Sequence, residues 1–265
     1  FMMALGIYGL HRQNYLSTFS ALIIMGISSI FVGMWLSNIL FSKLPISNTK
    51  LELNKIVLEH WKYSKWVAST ECIGWVRNNF YYILLPVWIS LEGVAALRAV
   101  MNFIQPMLSF NSAISTFILP KFVRTFTQYG HAKLIKMVYA AILFFVLSAA
   151  VYWVFIYFMR HQLFALLYRE KYIEYAYFLG VAGAIPVISG FGLVLKNFLR
   201  TSHRTDYIFW SYVAAGLFTL SGGVLLSAYW GILGAILSLL FTYCLVAGSF
   251  FFFYVRFQKN HKMAF

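Results

Sequence analysis

The feature that most constrains this chain is its alternation of long apolar runs with short basic clusters. A run of about 20 apolar residues, at 1.5 Å per residue in a helix, matches a bilayer core about 30 Å thick. No water is present at that depth to satisfy an open backbone, so a chain of such runs is expected to be helical throughout. Seven full spans are expected, at Thr18–Phe41, Trp66–Ser90, Gly93–Leu119, Leu134–Met159, Tyr172–Phe198, Tyr207–Trp230 and Gly231–Phe257. The fold class is therefore an all-α polytopic membrane helix bundle of about seven transmembrane helices, read as one six-helix lobe plus the helix before it. Composition agrees: 62% of residues are hydrophobic and 11% charged, against about 25% charged in a soluble domain. Phe1–Leu10 is too short to span and reads as the end of a truncated helix, which places the start of the chain inside a longer protein.

Four segments follow from this pattern: 1–46 as the end of an N-terminal lobe, 47–65 as an interfacial helix, 66–257 as the six-helix lobe, and 258–265 as a tail. In the second segment Leu53, Val57 and Trp61 share one helical face and Lys55, Glu59 and Lys62 another. That arrangement fits a helix lying in the headgroup region, and equally an ordinary connecting helix. Basic residues set the orientation. One set of alternate loops holds fifteen of them, from Lys43 to Lys65, Lys121 to Lys136, Lys196 to Arg204 and Arg256 to Lys262. The opposite set holds only Arg12, Arg160, Arg169 and Lys171. The richer set is expected in the cytoplasm. The net charge of +14 is thus explained by topology, and no nucleic-acid partner is expected.

Ionisable residues inside a span are costly, about 2.5–3.5 kcal/mol for a mid-helix arginine on the insertion scale, and usually face a cavity or the bundle interior. The second span carries Glu71, Arg77, Asn78 and Asn79. Counting from Lys65, Arg77 and Asn78 lie about 18–20 Å deep. Glu71 and Asn78, seven residues apart, share a face. On the third span Arg98, Asn102, Gln105, Ser109, Ser112 and Thr116 repeat at helical spacing and form a polar stripe. Pro106 within it is expected to interrupt the helix and free backbone carbonyls where the stripe is densest. Two deep arginines require an anionic ligand or carboxylate partners, and Glu71 is the only carboxylate more than three residues inside a span. The candidate cavity residues are Glu71, Arg77, Asn78, Arg98, Asn102 and Gln105. Pro106, Pro186 and Gly190 are candidate hinge positions, although Pro186 and Gly190, with Gly192, equally fit close helix packing.

Catalytic signatures are not found: there is no HExxH, GxSxG or P-loop pattern. The six histidines sit at span ends or in loops, and Cys72 and Cys244 lie far apart in apolar runs. Neither a metal, a cofactor nor a disulfide is expected, and an enzyme is not expected.

Several segments resemble the polysaccharide-transporter branch of the multidrug/oligosaccharidyl-lipid/polysaccharide exporter superfamily. They are His60-Trp61-Lys62-Tyr63-Ser64-Lys65-Trp66 leading into Trp75-Val76-Arg77-Asn78-Asn79-Phe80-Tyr81-Tyr82, then Leu97-Arg98-Ala99-Val100-Met101-Asn102 with Gln105-Pro106, and Leu119-Pro120-Lys121-Phe122. Leu167-Tyr168-Arg169-Glu170-Lys171-Tyr172 follows, with Arg169 where a glycine is common, then Leu199-Arg200-Thr201-Ser202-His203-Arg204 and Gly231-Ile232-Leu233-Gly234-Ala235. The resemblance implies twelve helices in two six-helix lobes, so that this chain holds helix six and the second lobe and needs the N-terminal lobe as partner. It implies an undecaprenyl-pyrophosphate-linked oligosaccharide as substrate, flipped from the inner to the outer leaflet of the bacterial cytoplasmic membrane among membrane lipids. Such a lipid serves surface polysaccharide (O-antigen, lipopolysaccharide) assembly. A drug or metabolite exporter of the same fold, and an integral-membrane enzyme of polysaccharide assembly, are the alternatives.

Overall fold

Helix is the only regular structure among the described residues, which in this computed structural model are 6, 8, 9, 12, 17–43, 53–88, 90–169 and 171–262. In chain order they form α1 (Thr18–Lys43), α2 (Leu53–Trp88), α3 (Leu91–Phe158), α4 (Arg160–Tyr168), a 3₁₀ turn (Ile173–Phe178), α5 (Leu179–Ala182), α6 (Ala184–Thr201), α7 (Thr205–Phe218), a π-helical turn (Thr219–Gly223) and α8 (Val224–Lys262). Most of the expected Phe1–Leu10 segment, and Ser47–Glu52 of the amphipathic segment, fall outside the described residues. From Leu53 onward the amphipathic segment runs without a break into the second expected span, as the single helix α2.

Among the described residues, four segments are long and apolar enough to cross a membrane: Leu22–Ser42, Leu91–Phe158, Ile173–Thr201 and Thr205–Gln258. They point to an all-helical, membrane-embedded protein. The expected span Trp66–Ser90 is helical over its described part but is not among the four. Glu71, Arg77, Asn78, Asn79 and its tryptophans and tyrosines hold its hydropathy down. Two of the four contain a break where the sequence reading separates two spans. Gly130 (φ 74°, ψ −171°) divides the 68-residue α3, and Gly231 (φ 57°, ψ −131°) divides α8. Only glycine enters these regions without strain. Pro106 and Pro120 lie within α3, yet Gly130 is its one non-helical residue. The chain thus stays helical through Pro106, which still lacks the N–H that would have bonded the Asn102 carbonyl four residues back.

The chain divides into two compact units, Phe1–Ile56 and Val57–Phe265. In the first, α1 is apolar on every side and none of its described residues is buried, the pattern of a helix solvated by lipid. The second unit is organised around α6, which packs mainly on α3 and α8. Eleven of the 18 residues of α6 are buried. Two glycines let its neighbours approach. A Cβ on Gly190 would stand 3.2 Å from Asn111 Nδ2 and from Phe145 Cβ, and one on Gly192 would touch Ala247. Asn111 Nδ2 donates to the Pro186 carbonyl (3.0 Å), while Asn197 Nδ2 donates to Ser115 Oγ and its carbonyl (2.9 and 3.0 Å). These bonds tie α3 to α6 at two heights. In this structure Pro186 and Gly190 therefore sit in the packed α3–α6 seam. The core forms two clusters. One gathers Leu97, Phe103, Ile104, Phe164, Leu179 and Ile236, and the other Phe122, Phe145, Leu195, Phe198, Ile208 and Phe250.

Arg169 stands at φ 55°, ψ −135°, close to the values of Gly231. A non-glycine residue held there costs about 1–3 kcal/mol. Arg169→Gly is expected to raise the thermal midpoint of the purified protein, by about 1 kcal/mol net of the glycine's added chain entropy, and Gly231→Ala to lower it. A lower midpoint for Arg169→Gly means that contacts of the arginine outweigh the backbone strain.

Candidate functional site

Within the second unit, α2, α3, α6, α7 and α8 enclose a cavity of about 910 Å³. Five of the six candidate cavity residues line it: Arg77, Asn78, Arg98, Asn102 and Gln105. Glu71 does not. The stripe on α3 is present as expected. Arg98, Asn102, Gln105, Ser109, Ser112 and Thr116 are all exposed, and all but Thr116 reach the cavity wall. The Thr116 hydroxyl instead donates to the Ser112 carbonyl (3.1 Å). Asn102 Nδ2 donates to the Tyr168 hydroxyl (2.8 Å), which links the wall to α4.

Arg77 is 6% exposed. Its guanidinium lies over the rings of Tyr212 (5.1 Å) and Tyr243 (5.0 Å) and donates through Nε and Nη2 to Asn78 Oδ1 (3.3 and 3.2 Å). Arg98 lies over the Tyr82 ring at 4.8 Å. Neither arginine forms an ion pair among the described residues. Glu71, the carboxylate the sequence offers as their partner, pairs elsewhere, with Lys196 Nζ at 3.6 Å and Arg200 Nη2 at 3.8 Å. A desolvated cation over an aromatic face gains about 2 kcal/mol, whereas withdrawing a charge from water costs several. The tyrosines therefore offset the charge of Arg77 only in part.

The sequence reading missed Lys196, Tyr82, Tyr212 and Tyr243. Lys196 sits near the end of an expected span and was grouped with the loop cations that set topology. It is 9% exposed and lines the cavity, its Nζ donating to the Tyr212 hydroxyl (3.3 Å). The readable signal was Glu71, because a carboxylate at membrane depth needs a cation, and α6 offers two a turn apart. The tyrosines carried no signal, being a few among 18.

The wall thus carries three cations, Arg77, Arg98 and Lys196, and no lining carboxylate. Beside them stand amides and hydroxyls. These groups donate hydrogen bonds and attract anions, which is the chemistry of binding. Among the described residues no three His, Cys, Asp or Glu side chains gather as a metal site would need. Comparison of the chain with protein-family models, curated proteins and solved structures finds no match among them.

The exposed stripe and the buried α3–α6 seam give α3 two opposite faces. With Cys72 and Cys244 changed to serine, single cysteines at Asn102, Gln105 and Ser109 are expected to react with a membrane-impermeant thiol reagent in detergent. Cysteines at Asn111 and Ser115 should stay unreacted until the protein is unfolded. Equal labelling of both sets would show that α3 does not present a solvated face.

Proposed function

We propose that the protein moves a lipid-linked, pyrophosphate-bearing oligosaccharide from the inner to the outer leaflet of a bacterial cytoplasmic membrane. One observation carries the reading: a cavity of about 910 Å³ whose wall gathers Arg77, Arg98 and Lys196 without a lining carboxylate, beside a stripe of amides and hydroxyls. An anionic headgroup crossing a low-dielectric core needs compensating charge along its route, since an unpaired ion there is prohibitively costly. The cations supply it. Asn102, Gln105, Ser109 and Ser112 offer the donors and acceptors that a sugar's hydroxyls need. The polyprenyl tail stays in lipid beside the apolar exterior, where Phe117 and Trp230 are exposed. A cationic drug, by contrast, would meet three like charges.

On this reading the chain crosses the membrane seven times, with Gly130 and Gly231 marking turns between spans and α2 supplying the polar second span. A second lobe forms the facing wall of the cavity. Arg77 and Arg98 meet the pyrophosphate at different stages, because Arg98 stands about 9 Å from the external end and Arg77 beyond mid-membrane.

In the complete protein, expressed in a strain lacking its own flippase, Arg77→Ala and Arg98→Ala are each expected to abolish surface polysaccharide at unchanged protein abundance. Lysine at either position should retain partial activity, since it keeps the charge but loses the bidentate fork. Normal flipping by both alanine variants sinks the proposal. Topology has its own test. In intact cells an impermeant thiol reagent should modify a cysteine at Ala165 and spare one at Gln128, and the reverse pattern would invert the orientation.

A further inference from the structure

Lys196 lies between two claims. On one side its Nζ is 3.6 Å from Glu71 Oε1, and on the other it meets the cavity wall at Tyr212, 3.3 Å from the hydroxyl and 5.1 Å from the ring centre. Arg77 Cζ is also 5.1 Å from the centre of that ring. The two cations are therefore at most about 10 Å apart, a span that one diphosphate bridges with charge-assisted hydrogen bonds of about 2.8 Å at each end.

Glu71 is equipped to give Lys196 up. Its side chain is 65% exposed, and the same oxygen that faces Lys196 is 3.8 Å from Arg200 Nη2. Releasing Lys196 thus does not strand the carboxylate, which keeps Arg200. Lys196 cannot be left alone so readily, because its side chain is only 11% exposed. An ion pair with one exposed partner shifts an equilibrium by at most about fivefold. A hydrogen-bonded phosphate that is enclosed by two cations outweighs that.

We propose that Glu71 is a built-in competitor for the cavity's anionic ligand: it holds Lys196 in this structure, and a diphosphate takes Lys196 over while Glu71 falls back on Arg200. The device makes ligand binding and release of Lys196 by Glu71 a single exchange. The inference rests on the anionic-ligand reading above and adds a residue, Glu71, that opposes binding.

The test is the affinity of the complete protein in detergent for farnesyl diphosphate, with inorganic pyrophosphate as competitor. Glu71→Gln should bind farnesyl diphosphate about threefold more tightly. Lys196→Gln should weaken the diphosphate about tenfold. The double variant should match Lys196→Gln alone, because with no lysine to release there is nothing to gain. A gain that persists in the Lys196→Gln background is a general field effect and overturns the competitor role, as does an unchanged or weaker Glu71→Gln. Should Glu71→Gln fail to fold, Glu71→Asp, which keeps the charge but shortens the reach, should show a smaller gain in the same direction. Inorganic pyrophosphate that displaces farnesyl diphosphate at equal concentration assigns the subsite to the free anion, and failure to displace it assigns it to the lipid headgroup; the handover stands in both. If Arg77→Ala binds farnesyl diphosphate normally, the anionic-ligand reading itself fails. If Arg77→Ala loses binding while Glu71→Gln changes nothing, only the competitor role falls.

Discussion

A buried guanidinium without a carboxylate is the constraint around which the inner wall of this protein is arranged. Arg77 sits on a helix whose neighbours must meet its charge by other means. They do so with two aromatic faces from two separate elements, Tyr212 of α7 and Tyr243 of α8. One turn further along α2, the Tyr81 hydroxyl bonds Ser238 Oγ of α8, so the two helices stay in register beside the arginine. The π-helical turn serves the same contact. A Cβ on Gly223 would stand 2.5 Å from both the Tyr81 hydroxyl and Ser238 Oγ. The widened turn and its glycine therefore admit Tyr81 where a regular α-helix bearing side chains would exclude it. Thr219 and Thr242 bridge the same two elements at 3.2 Å, so the hydroxyls buried there are paired.

The opposite requirement shapes α3. One of its faces must stay polar and open, and the other must hold the helix in place. Asn111 and Ser115 belong to the second face. They engage a carbonyl and an amide of α6 across a seam that Gly190 makes close enough for both. In lipid no hydrophobic force drives helices together, so close packing and such hydrogen bonds carry the association. The polar residues of α3 thus have two jobs, and its residues divide between them by angle around the helix. Pro106 is exposed and lies outside the buried seam, and its missing N–H removes the usual helical donor to the Asn102 carbonyl.

Much of this was legible in the residues. Apolar run length marked the helices, and the spacing of Arg98, Asn102, Gln105, Ser109 and Ser112 marked the face that lines the cavity, because helical periodicity is a local property. Gly231 was read as a boundary between spans, and the backbone does break there. The partner of Glu71 was not legible. Adjacency along α2 favours Arg77, whereas the carboxylate reaches across to α6, and nothing local to either helix encodes their contact. The same holds for Tyr82, Tyr212 and Tyr243, whose roles depend on which helices meet. Lys196 was obscured by a rule that is sound in general: a cation near the end of a span usually reports topology. Its Asn197 neighbour, buried and bonded to Ser115, shows that this end of α6 is enclosed by other helices.

On the anionic-ligand reading, the placement of Glu71 bears directly on what the cavity selects. Arg77 and Lys196 share one aromatic partner, each standing 5.1 Å from the centre of the Tyr212 ring. A carboxylate on the wall beside Arg77 would cancel their field and make the cavity indifferent to charge. Glu71 instead approaches Lys196 from outside the lining, with Arg200 as a second partner. It neutralises the lysine in place while leaving the wall itself cationic. An anion entering the cavity thus meets Arg77 already desolvated and only partly compensated by tyrosine rings, and it has to displace no lining carboxylate to reach it. A cation meets the same surface as repulsion. On the anionic-ligand reading proposed above, selectivity for negative charge follows from where Glu71 stands as much as from how many arginines face the cavity.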